Sequence, residues 1–224
     1  MKRTKLDDRV LPTYSKGEEI FNMVSHIVGA ALGIPQMIIL MVIAGNHNNP
    51  SGVISSLIFG ISIITLYTIS AIYHGLSPKL KAKKVLQVLD HCMIFLLIAG
   101  SYTPFAIEVL RTYDPAVGWS IFAIVWILAI IGVTLNSIDL KKYRVVSMIC
   151  YMVMGWCIIF KISILPGLLG MPGFILLLVG GIIYTIGAIL FGLGQKVKWM
   201  HSIFHICCVL ATTLHFICIL ICVV

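Results

Sequence analysis

The sequence predicts an all-α integral membrane bundle of seven transmembrane helices in a single domain, 1–224, preceded by a short cytoplasmic tail over 1–17. Three observations predict it. A chain that is 60% hydrophobic and 11% charged, with a mean hydropathy of +1.07, has too little polar surface to cover a water-soluble globule. A hydrocarbon core about 30 Å thick requires roughly 20 apolar residues per helical span, and seven such stretches fill nearly the whole chain. Finally, the basic residues alternate from loop to loop. Fourteen of the sixteen lie in the tail and in the loops after spans two, four and six, and only Arg111 and Lys161 fall on the opposite side. By the positive-inside rule the N-terminus is cytoplasmic and the C-terminus extracytoplasmic. The same asymmetry explains the net charge of +8 without a nucleic-acid partner.

Span one, 20–44, follows a tail bearing Lys2, Arg3, Lys5, Arg9 and Lys16, and its apolar run is too long for a signal-peptide core, so it is expected to be retained. It opens with a polar stripe, Glu19, Asn22 and His26, at i, i+3 and i+7. Gly29 and Gly33 form a GxxxG close-packing face. Span two, 52–76, follows the GNHNNPS loop, in which His47 reads as solvated, and ends near Ser70 and His74. Span three, 86–108, follows Lys79, Lys81, Lys83 and Lys84; it carries Asp90 and His91 and is expected to kink at Pro104. Span four, 116–137, precedes Lys141, Lys142 and Arg144. Spans five and six, 144–163 and 168–192, carry no ionisable pattern of their own, and Trp119, Trp126 and Trp156 read as interface or core aromatics. Span seven, 200–224, opens with His201 and His205; His215 lies on another face and reads as a packing residue. The seven cysteines lie within spans and never form CxxC, which points to small-residue packing.

A helix rises about 1.5 Å per residue with 3.6 residues per turn, so His201 and His205 share one face a turn apart. His74, Asp90 and His205 each fall roughly 7–11 Å in from the cytoplasmic ends of their spans, placing them in one layer although the spans alternate in direction. Three neutral imidazoles with a fourth position open is the usual way of holding catalytic zinc. A carboxylate in the membrane costs at least about 2.5 kcal/mol and therefore faces a partner or a polar cavity. HxxxH lacks the glutamate of HExxH, so a general base must come from elsewhere, and Asp90 is the candidate. Ser70, one turn from His74, is placed to hydrogen-bond behind it.

EEIFNMVSH (18–26), SAIYHGLSP (70–78), LDHCMIFLLIAGSYTPF (89–105) and HSIFH (201–205) resemble, in order, the motifs of the hemolysin III family, the bacterial branch of the progestin and adipoQ receptor family. The resemblance covers all seven spans and implies a multi-pass protein of the bacterial plasma membrane. It implies a zinc ion near the cytoplasmic face held by His74, His201 and His205, with Ser70 and Asp90 in the site, as in the membrane hydrolases that include alkaline ceramidases. Ser25 stands where the family often has threonine and keeps a hydroxyl.

Three functions stay open at this stage. The first is a zinc-dependent hydrolase of a lipid amide or ester at the inner leaflet, with a role in membrane lipid homeostasis. In it Asp90 is the base, and His91 or Ser70 stabilises the oxyanion. The second is a cytolysin or channel, against which no span shows a continuous polar stripe. The third is a receptor or membrane-state sensor with structural zinc. Membrane lipids are the expected partners in each, and the sequence does not fix the oligomeric state. The charge asymmetry makes a direct prediction: a topology reporter fused after Val224 reads as extracytoplasmic, and one inserted between Lys79 and Lys84 reads as cytoplasmic. A cytoplasmic signal from both positions would remove one span from the count.

Overall fold

The computed structural model describes residues 4–6, 8–194 and 196–223; Lys2, Arg3 and Val224, which enter the topology argument, lie outside the described residues. Among these residues the chain is all helical. Seven helices are long and apolar enough to cross a membrane: α1 (Lys16–Asn46), α2 (Pro50–Gly75), α3 (Lys81–Tyr113), α4 (Pro115–Asp139), α5 (Arg144–Lys161), α6 (Leu165–Leu193) and α7 (Met200–Cys222). Their outer faces are apolar, with Val42, Ile130 and Ile189 each more than half exposed. That is the expected surface where the surrounding medium is itself apolar.

Local chemistry sets the helix starts. Ser15 and Glu18 form a reciprocal capping box at the start of α1. Asn49 caps α2 by accepting from the Gly52 N–H at 2.9 Å, with Pro50 at the first helical position. Asp114 accepts from the Ala116 and Val117 N–H groups ahead of α4, again followed by proline. The α7 start differs: Trp199 holds a left-handed conformation, φ 66°, and its N–H donates to the Glu18 carboxylate at 2.6 Å, tying α7 to α1.

Successive helices are neighbours, and α7 packs against α1 to close the ring, with α3 touching α2, α4, α5 and α7 from within. The GxxxG face is an intramolecular contact. Gly29 lies against the Tyr67 ring and Gly33 against Ile63, so α1 and α2 approach closely. The core runs through Phe59, Ile63 and Leu66 of α2, Leu97 and Phe105 of α3, and Ile219 of α7.

Three helices depart from uniform α geometry. After Pro104, α3 widens into a π-helical turn over Phe105–Leu110, and the hydroxyls of Ser101 and Thr103 donate to the carbonyls of Ile98 and Ala99. The departure from α geometry falls at the expected proline, and the two hydroxyls bond to carbonyls other than that of Gly100, which Pro104 leaves without its helical donor. In α5 the α-helix stops at Trp156 and tightens into a 3-10 segment, Cys157–Lys161, instead of running on as the apolar pattern suggested. In α6, Gly170 is non-helical at φ 66°, ψ 165°, two residues before Pro172. The remaining expectations hold locally: His47 is exposed, the described cysteines are free thiols, and Trp126 and Trp156 donate to Thr103 and Thr185.

Close approach is most acute at Gly132 of α4, where an added Cβ would lie 2.2 Å from atoms of the Phe95 ring. Gly132→Ala should therefore lower stability by about 1–3 kcal/mol in detergent unfolding, whereas Gly192→Ala, with nothing within 4 Å, should not. Equal melting of the two variants would contradict this packing.

Candidate metal centre

The basic end of the bundle gathers the polar residues that the sequence placed at one depth. His74 arrives from the last turn of α2, and His201 and His205 from the first turns of α7; all three are buried. The Nε2 atoms of His201 and His74 are 3.4 Å apart, and those of His205 and His201 are 3.1 Å apart. One ligand nitrogen from each of the three lies within 4.8 Å of the others.

This set fits a divalent cation. With metal–nitrogen bonds near 2.0–2.1 Å, tetrahedral ligands sit about 3.3 Å from one another, close to the separations found. Proton placement supports it. The Nδ1 of His74 meets Glu19 Oε2 at 2.6 Å, and the other oxygen of that carboxylate accepts from Lys83 Nζ at 2.6 Å. A carboxylate paired with an ammonium can only accept, so the proton sits on Nδ1 and the Nε2 lone pair turns inward. An inward Nε2 lone pair on His74 is the state that a metal ligand requires. His205 Nδ1 lies 3.5 Å from the Ser25 hydroxyl, so the smaller alcohol in place of threonine still reaches the ring.

The other expected site residues divide. Asp90 and Ser70 are buried and line one cavity with His205 and His26. Asp90 Oδ2 is 3.6 Å from His91 Nδ1, too far for a hydrogen bond. Ser70 does not back His74, because Glu19 has taken the Nδ1 position; Ser70 faces the cavity instead. The stabilising role expected for His91 needs correction. Its Nδ1 donates to the Gln87 carbonyl at 2.8 Å, so in the neutral ring Nε2 is a lone pair that cannot donate to an oxyanion. The ring of His26 stacks on His205 with centroids 3.7 Å apart and planes 15° apart. The side-chain nitrogens of His26 and both polar atoms of Asn22 are buried without a hydrogen-bond partner, so α1 brings unsatisfied polarity directly against the histidine set.

Three contributors were not legible. Lys83, counted among the loop cations, is only 2% exposed and donates both to Glu19 and to the Leu76 carbonyl at 2.9 Å. Glu18 bridges α1 to Trp199; the Ser15-x-x-Glu18 spacing was readable as a capping box, but the reach to α7 was not. Tyr14 lies over the centre, its ring stacked on His201 with centroids 4.9 Å apart. Burial pushes its phenol well above the usual value, and the carboxylates of Asp90 and Glu19 add to the shift.

A family model described as haemolysin-III related matches residues 14–216. The chain is 40% identical over 203 residues to Hemolysin-3 of Bacillus cereus, covering 91% of this chain and 90% of that protein. It is 36% identical over 203 residues to a Hemolysin-3 homolog of Bacillus subtilis (strain 168), covering 91% and 93%. At 26% identity over 170 residues it also resembles the human Monocyte to macrophage differentiation factor, over 73% of this chain and 68% of that one.

Titration of the purified protein with a divalent cation should give about one ion per chain, and His205→Ala should abolish tight binding. Glu19→Gln keeps the shape but not the anionic acceptor behind His74, and should weaken binding by about 10–100-fold. An unchanged affinity in both variants would reject the three-histidine centre.

Proposed function

We propose a metal-dependent lipid hydrolase for this chain, which belongs to the haemolysin-III-related family and is a multi-pass bacterial membrane protein. The reaction is hydrolysis of a lipid amide or ester at the cytoplasmic side. The observation that carries this reading is the shared cavity. Its polar end joins His205, Asp90 and Ser70, and the rest is walled by apolar side chains such as Leu97, Ile98, Met148 and Phe204. Such a cavity suits a substrate with a polar scissile group and a hydrocarbon body.

His74, His201 and His205 hold the ion, which we take to be zinc from the neutral, all-nitrogen donor set. When bound, zinc supplies Lewis acidity that activates water and polarises a carbonyl. Glu19 fixes the His74 tautomer through one oxygen, and Lys83 donates to the other. Asp90 is the base: one carboxylate oxygen takes the proton of the attacking water and passes it to the leaving nitrogen or oxygen. Ser70, which lines the same cavity, is the hydroxyl we assign as donor to the acyl oxygen. Apolar walls exclude bulk water, which favours proton transfer between fixed groups and argues against a wide aqueous pore.

Asp90→Asn decides between the enzyme and a structural-metal sensor. The amide is isosteric and is not one of the three ligands, so bound metal should persist while lipid turnover falls by about 10²-fold or more. Both are read by metal analysis of the purified variant and mass spectrometry of membrane lipids. Loss of the metal together with the carboxylate would favour the sensor. Unchanged lipid turnover with metal retained would end the hydrolase reading and return weight to the cytolysin reading, which the name Hemolysin-3 of the Bacillus relatives favours.

A further inference from the structure

We propose that the basic mouth of the bundle is a binding site for a phosphate monoester, held by Arg9, Lys141 and Arg144 beneath the N-terminal tail. The site needs neither a metal ion nor turnover, and so goes beyond the hydrolase reading.

A cavity of about 410 Å³ lies between the tail and the helix ends. That is within the roughly 300–1,000 Å³ usual for small-molecule sites. Every residue from Asp8 to Tyr14 lines it, and the tail is fastened on both sides of it: the Thr4 N–H donates to the Asp139 carboxylate at 2.8 Å, and the Tyr14 ring stacks on His201. The opposite wall comes from Gln87 of α3 and from Arg144 and Ser147 at the start of α5.

The lining is cationic. Arg9, Lys141 and Arg144 face one carboxylate, Asp8, among the described lining residues. Cations in these loops follow from topology alone, but the burial of one without an acceptor does not. Arg9 Nη1 is buried with no hydrogen-bond partner, and a guanidinium nitrogen withdrawn from water is costly until an anion meets it. Among the described residues neither Lys141 nor Arg144 is ion-paired with a carboxylate. Asp139, the acid nearest in sequence, is engaged by the Thr4 and Lys142 N–H groups.

Two further features favour an anion. α5 begins at Arg144 with no side-chain cap, so the positive end of a helix stands beside the same cations. The Tyr14 phenol, held protonated by burial, adds a neutral donor. Guanidinium forks match phosphate oxygens in pairs, and three cations suit a dianion better than a carboxylate.

The phosphate can be carried by a water-soluble ester or by a lipid headgroup, and the test has an arm for each. In the first, glycerol phosphate is titrated calorimetrically into the detergent-purified chain. In the second, native mass spectrometry measures phosphatidate retained by the chain from a mixture with phosphatidylcholine. Arg144→Gln should weaken the ligand by about tenfold or more, and Arg9→Gln should match it. Arg144→Lys should recover part of the loss, since it keeps the charge without the fork. Lys142→Gln removes an equal charge from a residue outside the lining and should stay within about twofold. Arg144 is exposed, so its variants should fold, and their thermal unfolding checks this. A loss confined to glycerol phosphate supports the site and names a soluble ester; one confined to phosphatidate supports it and names a lipid. Equal losses in Arg144→Gln and Lys142→Gln, or no binding in either arm, would overturn the site and leave the three-histidine centre untouched.

Discussion

The structure depends on one carboxylate. Glu19 stands in the first turn of α1, accepts from His74 of α2 through one oxygen and from Lys83 of α3 through the other. Neither charge is tolerable alone in an apolar bundle, since an uncompensated buried ion costs several kcal/mol. Together they become a clamp on three helices, and the clamp also decides which nitrogen of His74 carries a proton. Packing and chemistry are thus set by the same pair of hydrogen bonds. Without Glu19 the His74 ring would lose its Nδ1 partner, the contact that turns Nε2 toward His201.

How much was legible follows from what each physical rule constrains. Helical rise is nearly invariant, so counting residues from the loop cations placed His74, Asp90 and His205 in one layer, and the bundle brings His74 to His205 and Asp90 to the cavity that His205 lines. Rotation about each helix axis is not constrained by a count. That is why Ser70 was assigned to His74 when it faces the cavity, and why His91 was given a donor role that its bond to Gln87 removes. Lys83 was one of four similar lysines, and nothing in the run 79–84 marks the one that turns inward. The tail was read as a charge carrier, while its contact with the site comes through an aromatic ring.

The same distinction applies to the helices. Pro104 announced its break because a missing N–H is a property of the residue itself. The end of the α-helix at Trp156 was silent, because the apolar run continues through it and hydropathy responds to composition, not to backbone angle, whereas the Gly170 break was announced in the same way by Pro172 and went unread. The 3-10 segment that follows Trp156 lines a cavity through Ile158 and Ile159.

The ligand histidines are separated by most of the chain, His74 on the second helix and His201 and His205 on the last. A polypeptide is made and inserted from its N-terminus. Throughout synthesis the Glu19, His74 and Lys83 cluster can form as soon as α3 is in place, but it presents a single imidazole until α7 arrives. The three-histidine set that could hold a metal ion is therefore complete only when the bundle is, and a chain that ends before α7 lacks two of its three imidazoles. The three-histidine set is thus a mark of completed assembly, whatever it binds.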